Sequence, residues 1–283
     1  MNDFWVRFLD FSTTADLLSR SFVQHALIAS AILGLLAGVI GPLIVSRQMS
    51  FAVHGTSELS VMGAAGGLLL GISVGVGAIA GSVAAALLFG ILGARSRERD
   101  AVIAVILSFG LGLAVLFLWL NPDRTVNQFA LLVGQVVTVN TAGLQLLIVT
   151  AAIVLVALVV VYRPLLFAST DPEVAAARGV PVHFLTVVFA VLVGLAVSIG
   201  VQIVGALLVL SLLVTPAAAA SRVTADPLKI TLLALLFAQT AAIGGIILSL
   251  APGVPVSVFV TSISFLIYMV CRLLGRRGTA VPA

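Results

Sequence analysis

Ala101–Leu120 reads AVIAVILSFGLGLAVLFLWL, twenty residues without a charged side chain. An α-helix rises about 1.5 Å per residue, so this stretch is about 30 Å long as a helix, the thickness of a bilayer's hydrocarbon core. Polar sequence stops it on both sides: Arg95-Ser96-Arg97-Glu98-Arg99-Asp100 before it and Asn121-Pro122-Asp123-Arg124 after it. Similar apolar stretches lie upstream at Phe22–Val45, Met49–Leu70 and Ala78–Gly93. Downstream they recur at Gly143–Tyr162, Phe184–Ala220, Ile230–Leu250 and Val256–Leu274. Phe184–Ala220 is too long for one crossing and is expected to hold two, with a hairpin at Gly200 and Gln202. Phe129–Val139 is apolar but too short to cross, and suits a re-entrant or interfacial piece. The expected fold class is all-α: a polytopic transmembrane helical bundle of eight or nine spans.

Composition supports the same class. The chain has 283 residues, of which 61% are hydrophobic and 8% charged, and a mean hydropathy of +1.30. A soluble domain carries about a quarter charged residues, so lipid must be much of this chain's solvent. The short alternating segments of a transmembrane β-barrel are missing. The few basic residues cluster in Arg95/Arg97/Arg99, Arg163/Arg178, Arg222/Lys229 and Arg272/Arg276/Arg277, which the positive-inside rule places in the cytoplasm together with the C-terminus. No basic patch with interleaved aromatics points to nucleic acid. The lone Cys271 reads as packing. Residues 1–21 hold Asp3, Asp10 and Asp16 and no long apolar run, unlike a cleaved signal peptide; Phe4, Trp5, Phe8 and Leu9 suit an interfacial segment. The domain plan is that segment, a membrane-spanning domain over 22–274, and a cytoplasmic tail over 275–283.

Glycines and prolines punctuate the spans. Gly34 and Gly38 permit close helix contact. Gly71, Gly75 and Gly77 mark a turn or loosened helix. Arg163-Pro164 returns the fifth span to the cytoplasm, Pro216 is expected to free a backbone carbonyl in the seventh or kink it, and Pro252-Gly253-Val254-Pro255 forms an outer turn.

Glu58 is the one acidic residue outside a polar loop, tail or charge cluster, and His54 precedes it by four residues. That spacing puts both on one helix face. A carboxylate in a bilayer core is costly unless it is paired, bound to a cation or protonated. Imidazole nitrogen and carboxylate oxygen are ligand types of a divalent metal. Spacing alone also fits a protonated Glu, or two polar groups bonding at a helix end near the interface. Two ligands do not complete a site, and a two-fold dimer would supply four. Ser50, Thr56, Ser57 and Ser60 are candidates to hydrogen-bond the ligands. His25 and His183 read as interfacial, and Arg47 as a headgroup anchor for a helix end.

The polar interlude 168–181 contains the signals of one short helix. Thr170 or Asp171 can cap it, Pro172 suits its first turn, and Glu173 and Arg178 complement its dipole. Gly179 suits the left-handed C-terminal conformation, and Pro181 forbids continuation. The segment is an ordinary interfacial helix or a docking helix for a cytoplasmic partner, with Asp171, Pro172, Glu173, Ala176, Arg178 and Gly179 as docking residues. No G-x-x-x-x-G-K-[ST] motif, H-E-x-x-H motif or G-x-S-x-G motif occurs, so neither P-loop ATP hydrolysis nor an enzyme reading gains support.

Three stretches together resemble the zinc/manganese-uptake ABC permeases (the ZnuB/MntB/TroC group) over about Phe22–Leu274. They are Arg47-Gln48-Met49-Ser50-Phe51 followed by the polar pair, Ala175-Ala176-Ala177-Arg178-Gly179-Val180-Pro181, and Val204-Gly205-Ala206-Leu207-Leu208-Val209 leading into Pro216-Ala217-Ala218-Ala219-Ala220. The resemblance implies a type II-like importer permease in a bacterial plasma membrane. Two copies would form a homodimer, bind a cytoplasmic ABC ATPase that carries the ATP, and receive metal from an extracytoplasmic binding protein. The family's Asp and His, four apart, ligate metal; here His54 and Glu58 hold those positions in reversed order, with Glu for Asp. The cargo expected is Zn²⁺ ahead of Mn²⁺, with no bound cofactor. The alternatives are a permease for an iron chelate or corrinoid, a secondary cation transporter independent of an ATPase, or a membrane enzyme.

Overall fold

The computed structural model describes residues 11–92, 99–121, 141–203, 205, 206, 209–252 and 254–275, and its regular elements there are all helices. In chain order they are α1 (Phe11–Leu18), α2 (Ser21–Ser46), α3 (Ser50–Leu69), α4 (Val74–Leu92), α5 (Arg99–Leu120) and α6 (Thr141–Thr170). They continue with α7 (Pro172–Ala177), α8 (Val182–Ile203), α9 (Val209–Leu213), α10 (Thr215–Ala220), α11 (Pro227–Leu250) and α12 (Val256–Gly275). The interfacial residues Phe4, Trp5, Phe8 and Leu9, the arginines at 95 and 97, the Phe129–Val139 piece, Val204, Leu207, Leu208 and the tail from Arg276 lie outside the described residues.

Among the described residues six helices are long and apolar enough to cross a membrane: α2, α5, α6, α8, α11 and α12. The sequence reading expected eight or nine. The difference is physical. In α3, His54, Thr56, Ser57, Glu58 and Ser60 dilute the apolar run. The apolar stretch of α4 is short, at Val74–Gly90, and Val209–Ala220 is short and split into α9 and α10.

The glycines and prolines expected to punctuate the spans act as follows. Gly200 and Gln202 form no hairpin: α8 runs through both to Ile203, and the Gln202 amide donates to the Ser198 carbonyl at 3.2 Å. The helix ends at Ile203, shortly before Gly205, whose φ of 92° suits glycine. The break expected at Pro216 is present: α9 stops at Leu213 and α10 starts at Thr215, with Pro216 in its first turn. Pro164 lies inside α6, which continues to Thr170; a proline removes one backbone donor, and the rest of the ladder carries the helix on. Gly75 and Gly77 belong to α4, and of that trio Gly71 alone has positive φ, at 70°.

The chain divides into two compact units. The first comprises Met1–Val45, Gln135–Leu144 and Leu210–Ala283. Within it α2 lies against α11: a Cβ on Gly38 would stand 2.8 Å from the Leu235 Cβ, and the Gln239 amide donates to the Ala31 carbonyl at 2.8 Å. The expected close approach at Gly34 and Gly38 is therefore real. Ala217, Ala220 and Ala234 form a small core flanked by Val45, Ile230, Leu233 and Phe237. Asp226 caps α11, its carboxylate accepting from the Leu228 N–H at 3.0 Å, with Pro227 following.

The second unit comprises Ser46–Gly134 and Gln145–Val209. Its centre is a glycine seam between α3 and α4. A Cβ on Gly63 would stand 2.6 Å from the Gly81 Cα, and one on Gly67 would stand 3.2 Å from the Gly77 Cα. The Ser60 hydroxyl donates across the seam to the Ala78 carbonyl at 3.0 Å. Small residues four apart on both helices let the backbones meet, as in membrane helix pairs generally.

Candidate functional site

Helix α3 carries His54 and Glu58, and the seam fixes which way they face. His54 and Gly63 are nine positions apart, as are Glu58 and Gly67. At about 100° per residue, nine positions is half a turn, so the pair lies on the side of α3 opposite the seam. A third side, with Gly55 and Leu59, packs on Ile103 and Gly110 of α5.

Glu58 is 4% exposed. His54 is half-buried, and its Nδ1 is buried without a hydrogen-bond partner. The Phe51 ring sits 6.5 Å from the imidazole, tilted by 45°. The ring nitrogen lies one turn from a buried carboxylate, and a buried polar atom left without a partner is costly unless a ligand completes it. Among the described residues no group of three or more His, Cys, Asp and Glu could hold a metal ion. Among the described residues the pair thus stands as two ligand types without a third beside them. His25 is half-buried on α2 and His183 is exposed on α8.

The hydroxyls expected to support the ligands point elsewhere. Thr56 donates to the Ala52 carbonyl and Ser57 to the His54 carbonyl, each at 2.7 Å, while Ser60 serves the seam. Short hydroxyl side chains in a helix reach the carbonyl three or four residues back, and that local bond wins here.

Arg47, expected to anchor a helix end, has partners within the protein. It lies in the joint between α2 and α3, where Gln48 has a φ of 53° and Met49 precedes the first turn of α3. The Arg47 Nε–H donates to Ser169 Oγ at 2.7 Å and an Nη1–H to Thr186 Oγ1 at 3.4 Å. Its guanidinium lies 5.3 Å from the centroid of the buried Phe189 ring, a cation–π distance. Sequence could not show this, because the partners are more than a hundred residues away.

The 168–181 segment folds as its local signals require. The Asp171 carboxylate accepts from the Val174 N–H at 3.0 Å, and Pro172 opens α7. At the other end the Gly179 N–H bonds the Ala176 carbonyl and the Val180 N–H the Ala175 carbonyl, both at 3.0 Å, with Gly179 at a φ of 81°. That pair of bonds is the Schellman ending. Ala175 is buried, whereas Asp171, Pro172, Glu173, Ala176, Arg178 and Gly179 are all exposed. A capped helix with nearly its whole surface free can meet a partner without rearranging.

A family model described as the ABC 3 transport family matches residues 19–274. The chain belongs to that family. This ABC 3 family member is 32% identical over 258 residues to the manganese transport system membrane protein MntC of Listeria monocytogenes, across 89% of this chain and 92% of the relative. It is 32% identical over 200 residues to the manganese import system permease protein ScaB of Streptococcus parasanguinis, across 70% of this chain and 71% of the relative. Its fold matches the solved structure of PsaBC from Streptococcus pneumoniae in complex with Fab, with a TM-score of 0.82 and 25% identity over 92% of this chain and 95% of that one. The family expected from the motifs is the family found. As an ABC 3 member with six helices able to cross a membrane, the chain is a multi-pass transport component.

Proposed function

We propose that this chain is the permease subunit of an ATP-driven importer of a divalent metal ion, with manganese as the first candidate and zinc the second. The order reverses the ranking read from the ligand types, because the relatives reported above carry manganese in their names. A carboxylate with one imidazole suits manganese at least as well as zinc, which favours more nitrogen or sulfur. Two copies of the chain bring together two His54 and two Glu58 on a two-fold axis, giving the ion four protein ligands. The negative charge of Glu58 offsets the cost of moving a dication into the membrane. The exposed α7 segment, Asp171–Gly179, receives a separate cytoplasmic ATPase chain, and an extracytoplasmic binding protein delivers the ion. In this reading α3 and α4 lie within a bacterial plasma membrane beside the six long helices, which makes eight crossings.

The observation that carries the proposal is the buried, unpartnered Nδ1 of His54 on the face it shares with buried Glu58. The test is competitive uptake of manganese, zinc and iron by a strain lacking this chain, with the wild type or a variant restored. The wild type restores manganese uptake, whereas Glu58→Ala and His54→Ala do not, although each still reaches the membrane. Normal uptake by both variants would remove the site from the account.

A further inference from the structure

Arg47 touches both stems of the exposed α7 segment. Ser169 is on the last turn of α6, two residues before the Asp171 cap, and Thr186 is on the first turns of α8, five residues after Pro181. Each hydroxyl spends its own proton on its own helix: Ser169 donates to the Leu165 carbonyl at 2.6 Å and Thr186 to the Val182 carbonyl at 2.9 Å. Their lone pairs are therefore aimed outward, at the guanidinium. A planar guanidinium can serve two such acceptors and lie over an aromatic ring together, which an ammonium cannot match. Here the ring is Phe189, fully buried on α8.

The other end of Arg47 is its backbone. Only Gln48 and Met49 separate it from α3, and Gln48 takes the left-handed conformation that makes the joint tight. Met49 is buried. The grip therefore reaches the N-terminus of α3 with little slack. From Ser50 to Glu58 is eight residues, about 12 Å along a rigid helix at 1.5 Å per residue.

We propose that Arg47 is a positioning residue for transport: it fastens the start of α3, the helix that carries His54 and Glu58, to both stems of the α7 docking segment. Displacement of the stems when the ATPase closes then moves the metal pair. This rests on the reading above of α7 as the docking segment and of His54/Glu58 as the ion site. It goes beyond that reading by naming the part that joins the two.

The test uses the permease–ATPase complex in proteoliposomes with Mn²⁺, and measures assembly, equilibrium Mn²⁺ binding, ATP hydrolysis and Mn²⁺ transported per ATP. Arg47→Gln is expected to assemble, to bind Mn²⁺ within twofold of wild type and to hydrolyse ATP, but to transport at least tenfold less Mn²⁺ per ATP. Arg47→Lys, which keeps the charge and loses the fork, is expected to fall between. The double variant Ser169→Ala/Thr186→Val leaves the arginine intact and removes its acceptors, and is expected to uncouple in the same way. A wild-type transport ratio in both Arg47→Gln and the double variant overturns the proposal. So does failure of both to assemble, which would make the grip a folding contact only. If the ratio is unchanged while His54→Ala still abolishes uptake, this inference fails and the proposed function stands. If His54→Ala and Glu58→Ala transport normally, the proposed function itself fails.

Discussion

Gly63→Ala is the sharpest test of the packing that orients His54 and Glu58, the proposed metal pair. A Cβ at Gly63 would stand 2.6 Å from the Gly81 Cα and 2.7 Å from the Gly81 N, both backbone atoms that no rotamer change can move. Non-bonded carbons prefer about 3.5–4.0 Å, so α3 and α4 must part by about 1 Å. Forcing one methyl into a packed interface costs about 1–3 kcal/mol. Alanine in a helix interior returns up to about 1 kcal/mol relative to glycine, which leaves a net loss of about 0–2 kcal/mol against wild type and about 1–3 kcal/mol against a glycine-to-alanine change without the clash. Gly66→Ala is the internal control, because the nearest atoms to its new Cβ are Phe117 ring carbons at 3.4 Å, ordinary contact. It should be neutral or slightly stabilising. The assay is thermal unfolding of the purified protein in one detergent, with both variants and wild type side by side. A Gly63→Ala protein as stable as Gly66→Ala would refute the seam. Because α3 carries the pair on its opposite side, Gly63→Ala should also weaken Mn²⁺ binding, whereas Gly66→Ala should not.

Two further predictions follow from single contacts. Asp171→Ala removes the bond to the Val174 N–H and should destabilise α7 by about 1 kcal/mol, and Gly179→Ala strains a φ of 81° by about 1–2 kcal/mol. Each should lower the affinity of the permease for its ATPase in a pull-down titration while Mn²⁺ binding is unchanged; equal loss of both would contradict the division of roles. Gln239→Leu deletes the bond to Ala31 but also a buried Oε1 that has no partner, so the two effects oppose and unfolding should shift by less than about 1 kcal/mol. A larger loss would mean that the α2–α11 crossing depends on this one amide.

What the sequence made legible was what neighbouring residues decide. The long apolar runs announced α5, α8, α11 and α12 because burial in lipid needs only length and hydropathy. The α7 helix was readable from cap to cap, since Asp171, Pro172, Gly179 and Pro181 each act on their own backbone. The His54/Glu58 face followed from helical spacing alone. Failures began where a distant partner decides. Ser57 and Thr56 turn to their own helix rather than to the ligands, and Arg47 finds Ser169 and Thr186 far along the chain. Gly77 looked like part of a turn because its neighbour Gly71 is one; its actual role, opposite Gly67, needed the second helix. The Gly63/Gly67 and Gly77/Gly81 spacings were visible signals for that seam. Gly200 was read as part of a hairpin, but α8 runs through it to Ile203.

The most direct measurement on the central claim is Mn²⁺ binding to the purified, assembled complex, read by loss of the free-ion EPR signal. Four ligands from two chains predict one tightly held ion per pair of permease subunits. Glu58→Ala or His54→Ala should abolish that binding without loss of assembly. One ion per single permease chain, or binding unchanged in both variants, would contradict a site shared across a two-fold axis.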